Sequence, residues 1–268
     1  MALWVIVGAS RGIGLEFVRQ LLARGDTVIA TVRNTSKASQ LWLLAGAARL
    51  GACHLLECDV KSDASINNFI RDVSRLAMQK IDYVVLNAGI LKYPNRATEV
   101  SFDDFEDHLR TNTIGPIIVA QKLLKLNIPI GTLAFMSSDS GSTAQFRAFE
   151  DGFAAYAASK AALNQALRHM AAELNRKRST TIVLAIHPGE VQTQVILAGV
   201  YQYVLRDYRD MANVNIDWEV DGIISPEVSV SAMIRVICTR KLGESGTFWT
   251  WEGKAGCKIV TQLKDTHI

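Results

Sequence analysis

The sequence predicts an α/β protein: a doubly wound, mostly parallel seven-stranded sheet with helices on both faces. Two observations carry that expectation. Seven short runs rich in β-branched residues, at 3–8, 27–32, 54–58, 83–87, 132–137, 180–186 and 246–249, are mostly apolar rather than alternating, as strands covered on both faces should be. Between them lie longer stretches with helical spacing, at 14–23, 36–50, 64–78, 102–126, 153–178 and 227–239. Strand and helix alternate six times, the order in which crossover helices join parallel strands.

The 268 residues could make one large domain or two small ones. No linker, internal repeat or low-complexity stretch divides them, so one domain over 1–268 is expected. The chain is 49% hydrophobic and 21% charged, ordinary for a soluble globular protein. A net charge of +3 argues against nucleic acid or an anionic membrane as a partner. The densest basic cluster, Arg176-Lys177-Arg178, suits the negative end of a helix. Nothing approaches the apolar length of a membrane span. Residues 1–7 lack a basic flank and run into a glycine turn, so they read as a buried strand and not a signal peptide. Cys53, Cys58, Cys238 and Cys257 form no C-x-x-C pair. They read as small buried thiols in a reducing, cytoplasmic setting, with no metal site.

The first strand runs into Gly8-Ala9-Ser10-Arg11-Gly12-Ile13-Gly14, which opens a helix. Gly8 permits a tight turn, Gly12 a close backbone approach to a pyrophosphate, and Gly14 close packing of helix on strand. The helix start adds free N–H groups and partial positive charge for the anion. This is the Rossmann-type arrangement. Beyond the second strand, where an NAD site carries a carboxylate for the ribose 2′-hydroxyl, the chain has Val32-Arg33. Arg33 and Arg11 suit a 2′-phosphate instead, so NADP(H) is the expected cofactor.

Tyr156 and Lys160 stand one helical turn apart on one face. A phenol is a poor acid–base group at neutral pH, and an adjacent ammonium is expected to lower its pKa toward the working range. Ser137-Ser138 ends the fifth strand, Asn87-Ala88-Gly89 ends the fourth, and Pro188-Gly189-Glu190-Val191-Gln192-Thr193 follows the sixth. Asn112 sits inside a helical stretch, where it is locally unfavourable and commonly has another task.

Together these motifs, spanning 3–193 in order, resemble the short-chain dehydrogenase/reductase family. The runs His187-Pro-Gly-x-Val-x-Thr, Tyr156 to Asn164, and Ile224-Ser225-Pro226-Glu227 are similar to its carbonyl-reductase-like, C-factor/sniffer-type subgroup. The resemblance implies roles. Tyr156 would protonate a carbonyl oxygen as hydride arrives, and Ser138 would stabilise that oxygen. Lys160 would tune Tyr156 and bind ribose, and Asn112 would hold a water that relays protons to Lys160. Asp59 and Val60 would contact adenine, Asn87 and Gly89 line the cofactor cleft, and Val191 and Thr193 meet the carboxamide and phosphates. It also implies a homodimer or homotetramer built through the helices at 102–126 and 153–178.

Three features depart from the family pattern. Val7 stands where a Thr is usual, Leu86 where an Asn is usual, and Ser138 and Tyr156 are 18 positions apart, more than the family's usual spacing. The longer loop, with Phe146, Arg147, Phe149 and Glu150, should shape the pocket rim. The stretch at 195–224 carries Tyr201, Tyr203, Tyr208 and Trp218 and reads as a lid over a small, bulky apolar carbonyl or alcohol substrate. The catalytic residues serve either direction, and the NADP-type pocket leans toward reduction of a ketone or aldehyde. Alcohol oxidation by the same site, or a non-redox NADP-binding regulator on the same fold, are the competing readings.

Overall fold

The computed structural model describes residues 1–146, 148–193 and 223–256. Six strands lead: β1 (Leu3–Val7), β2 (Thr27–Val32), β3 (Ala52–Glu57), β4 (Ile81–Leu86), β5 (Ile130–Met136) and β6 (Ile182–His187). Two short strands, β7 (Glu190–Val191) and β8 (Ile223–Ile224), pair with each other, and β9 (Thr247–Thr250) completes the main sheet. All seven strands of that sheet are parallel, in the order β3-β2-β1-β4-β5-β6-β9.

The absence of alternation in the strands follows from burial on both sides. Leu3, Val5 and Val7 face a core with Phe69, Leu123, Leu163 and Leu167. Trp4 and Ile6 face a second core with Phe17, Leu21, Leu41 and Met233. The first core lies under helices α3 (Asp63–Arg75), α5 (Gly115–Leu123) and α6 (Ala154–Arg176). The second lies under α1 (Gly12–Ala23), α2 (Ser39–Ala47) and α7 (Pro226–Thr239). Serine hydroxyls start several helices: Ser62 accepts from Ser65 N–H, and Ser225 from Val228 N–H ahead of Pro226. Because β1 lies between β2 and β4, the chain reverses its winding there, and a crevice opens at the carboxyl ends of β1 and β4.

Two helical stretches differ from expectation. The one at 36–50 breaks at Ala38 into a tight turn, Thr35–Lys37, and α2. The one at 102–126 divides into α4 (Phe102–Leu109), a π-helical turn (Arg110–Ile114) and α5. Helix α6 ends at Arg176, so the basic cluster does close a helix. Burial pushes the Cys53 and Cys58 thiols up to about 11 and about 12. Cys238, by contrast, is exposed on the last turn of α7, and Cys257 lies outside the described residues. Among the described residues no helix is long and apolar enough to cross a membrane, and no cluster could hold a metal ion. The 195–222 part of the expected lid also lies outside them.

Candidate active site

The glycine turn has the geometry its sequence demands. Gly8 has φ +89°, and a Cβ there would stand 2.8 Å from the backbone of Ala88. Gly12, at φ +55°, would have only the Thr193 side chain nearby, at 3.5 Å. A Cβ on Gly14 would lie 2.1 Å from the Gly8 carbonyl oxygen, so only glycine lets α1 start this close to β1. Asn87 locks the two strand ends together: its Nδ2 donates to the Gly8 carbonyl at 2.7 Å. Arg11, at the helix start, makes no side-chain cap, leaving the first N–H groups of α1 without that partner.

Around this turn lies a cleft of about 510 Å³. It is lined by Gly8, Ser10, Arg11, Gly12, Ile13, Arg33, Asp59, Val60, Asn87, Ala88, Gly89, Tyr156, Lys160, Pro188, Gly189, Val191 and Thr193. Of the expected cofactor residues, Gly14 alone is outside the lining, packed beneath it. A larger hollow of about 900 Å³ lies at the opposite end of the strands, by the starts of β5 and β6 and between α5 and α6. It holds none of the candidate residues.

The cleft also contains residues that motif reading missed. Asp107 pairs with Lys61 and Lys92, each at 2.8 Å, and those ammonium groups hold its carboxyl down at about 2. Thr111 also lines the cleft, and its buried hydroxyl has no hydrogen-bond partner among the described residues. Only its place beside Asn112 could have pointed to it. The cleft fits a dinucleotide phosphate through its glycine turn, where side chains would close the approach to the start of α1.

At the inner end of the cleft the chemical groups converge. Ser138 leaves the end of β5 in extended conformation, and the turn Asp139–Gly141 presses against α6. A Cβ on Gly141 would lie 2.8 Å from the Lys160 backbone carbon, so glycine lets the two segments touch. The Ser138 side chain acts on the Tyr156 phenol, lowering its pKa, while Ser137 Oγ donates to Asn164 Oδ1 at 2.5 Å. Ser138, not Ser137, therefore meets the phenol. A hydroxyl chain continues outward, with Ser138 Oγ 3.2 Å from Ser140 Oγ, which donates to Glu150 Oε1 at 2.8 Å.

One electrostatic expectation is corrected. Burial pushes Tyr156 up to about 12; the Ser138 hydrogen bond opposes this, and the carboxylates Asp139 and Glu150 add to it. Lys160 does not offset the rise, because burial pushes it down to about 8 and its Nζ donates to the Met136 carbonyl. Asn112 is buried at the π-helical turn. Its Nδ2 donates to the Ile90 carbonyl at 2.9 Å and Ser159 Oγ at 3.0 Å, and its Oδ1 accepts from Ile90 N–H at 2.8 Å. Both N–H bonds are spent, so this side chain has one acceptor lone pair left for a water.

Residues 3–198 match the family model described as short chain dehydrogenase. The chain belongs to that family. An uncharacterised oxidoreductase of Schizosaccharomyces pombe is 32% identical over 93% of this chain and 95% of its own length. The NADPH-bound carbonyl reductase from chicken fatty liver superposes with a TM-score of 0.77 at 26% identity, covering 96% of this chain and 99% of that one. A short-chain dehydrogenase/reductase of Burkholderia multivorans with bound NADP gives a TM-score of 0.75 at 28% identity, covering 95% and 98%. In this short-chain dehydrogenase Tyr156 and Lys160 line the cleft, and Ser138 acts on the Tyr156 phenol.

Proposed function

We propose that this short-chain dehydrogenase is an NADPH-dependent carbonyl reductase, converting a ketone or aldehyde to an alcohol. The observation that carries the reading is that Tyr156 and Lys160 line one cleft together with the glycine turn, with Ser138 acting on the phenol. Bound NADPH supplies the hydride. The glycine turn and the start of α1 hold its pyrophosphate, Arg11 and Arg33 its 2′-phosphate, and Lys160 its nicotinamide ribose.

Tyr156 gives its proton to the carbonyl oxygen as that oxygen gains charge. A phenol pushed up to about 12 stays protonated through the neutral range, which is the form a reduction consumes. Ser138 donates a hydrogen bond to the same oxygen. Pro188, Gly189, Val191 and Thr193 support the carboxamide side, and Asp59 and Val60 the adenine side. The aromatic residues Tyr201, Tyr203, Tyr208 and Trp218 support a bulky apolar substrate. The reading includes a homodimer or homotetramer paired through α5 and α6, and an enzyme of the cytoplasm.

The test is NADPH oxidation with phenanthrenequinone, nitrobenzaldehyde and a panel of ketones. Turnover that Tyr156→Phe abolishes, with NADPH still bound, is the expected result. NADPH binding without turnover of any carbonyl would favour a non-redox role.

A further inference from the structure

The segment after Gly89 has two faces. On one, Ile90, Leu91 and Lys92 line the cleft. On the other, Asn95, only 1% exposed, is folded against the start of α6. Its carboxamide oxygen accepts from the backbone N–H of Ala155 at 2.7 Å and of Tyr156 itself at 3.2 Å. Its amide donates to the Lys92 carbonyl. The reversed carboxamide would set its NH₂ against two N–H groups and its oxygen against a carbonyl, so the orientation is fixed by its partners. The Asn95 N–H also donates to the Gly152 carbonyl at 2.8 Å.

This arrangement replaces an ordinary cap. Phe153, at the N-cap position of α6, offers no side-chain acceptor, and helix starts need one for their orphan N–H groups. The acceptor comes instead from some sixty positions upstream. The loop that supplies it is itself held: Asn112 bonds both backbone groups of Ile90, and Lys92 N–H donates to Nε2 of buried His108 at 3.1 Å. On the far side, a Cβ on Gly152 would come within 2.3 Å of the Tyr93 ring, so the joint is close-packed.

We propose that Asn95 is a positioning residue for the reaction: by bonding the backbone of Tyr156 from the loop that walls the cleft, it fixes where the phenol stands relative to the nicotinamide. The proposal rests on Tyr156 being the acid. Asn95 touches no reacting atom. A purely structural cap would lose stability, cofactor affinity and turnover together; a positioning residue loses turnover selectively.

The experiment uses the full chain, NADPH, and phenanthrenequinone and nitrobenzaldehyde as carbonyl probes. Asn95→Leu, near in size but without an acceptor, is expected to lower kcat about a hundredfold, with NADPH Kd and carbonyl KM held within about twofold. Asn95→Asp, which keeps an acceptor for both N–H groups and, as the protonated acid, a donor for the Lys92 carbonyl, should restore kcat at mildly acidic pH to within about tenfold of the parent. If Asn95→Leu does not fold, Asn95→Ala takes its place in the same comparison. A kcat within about threefold of the parent, equal losses in kcat and NADPH affinity, or an Asp variant no better than Leu would overturn the proposal. Tyr156→Phe is run alongside. If it keeps turnover, the acid reading fails and takes this proposal with it. If it is inactive while Asn95→Leu is normal, only the positioning role fails.

Discussion

Lys160 Nζ donates to the Met136 carbonyl oxygen at 2.8 Å and stands 5.5 Å from the centre of the Tyr156 ring. The ammonium is thus tied to the end of β5, while burial lowers its pKa to about 8. Tyr156 moves the other way, to about 12. Of the two, lysine is the group that titrates near physiological pH.

The pH dependence follows from that order. Reduction needs the protonated phenol, present well beyond neutrality, and the charged lysine, which is lost as pH rises through about 8. The kcat/KM for NADPH, which reports the free enzyme, should therefore fall on the alkaline side with an apparent pKa near 8. A limb near the 10.5 of an ordinary lysine would show that burial does not act on Lys160 as described.

The same burial has a cost in stability. Because the folded-state pKa of Lys160 lies below its unfolded value, the charged form opposes folding at neutral pH. That opposition fades as pH rises from about 8 toward 10.5. Lys160→Met should remove this pH dependence and stabilise the cofactor-free protein by about 1–3 kcal/mol at neutral pH, while abolishing turnover. Urea denaturation at neutral and alkaline pH measures both effects; a less stable Met variant at neutral pH would refute the sign.

What the sequence made legible, and what it hid, divide along physical lines. The strands were readable because burial on both faces leaves an uninterrupted apolar run, as in Trp4-Val5-Ile6-Val7. The glycine turn was readable because φ and close approach leave glycine as the choice at Gly8 and Gly14. The Tyr156–Lys160 spacing showed which groups share a helix face, but spacing carries no information on burial, so the direction of the phenol's shift was misread. The π-helical turn was hidden because apolar spacing runs on through 102–126; it accompanies long-range bonds from Asn112 to Ile90 and Ser159. Asn95 reads locally as a loop residue after Pro94, and its partners lie about sixty positions away.

The two adjacent serines should separate function from support. Ser138 meets the Tyr156 hydroxyl, and Ser137 meets Asn164 at 2.5 Å. Ser138→Ala should lower kcat about a hundredfold to a thousandfold with NADPH affinity unchanged. Ser137→Ala should keep most activity and lose about 1 kcal/mol of stability. Comparable kcat losses in both variants would mean that the oxygen-stabilising role is not confined to Ser138.

Cofactor choice turns on the end of β2. Arg33 directly follows Val32 there, and with Arg11 it lines the same cleft. The two guanidinium groups can approach a 2′-phosphate from different segments, one from the second strand and one from the glycine turn. A charge-assisted hydrogen bond of about 1.5–3 kcal/mol corresponds to about tenfold to a hundredfold in affinity. Arg33→Ala should therefore raise the KM for NADPH by about that factor and leave the KM for NADH nearly unchanged, because NADH has no phosphate to lose. Arg33→Asp should go further, adding repulsion toward NADPH and an acceptor for the ribose hydroxyls of NADH. The comparison is kcat/KM for both cofactors in the parent and in the two variants. A parent that prefers NADH, or an Arg33→Ala enzyme whose NADPH KM does not move, would place the phosphate contact elsewhere.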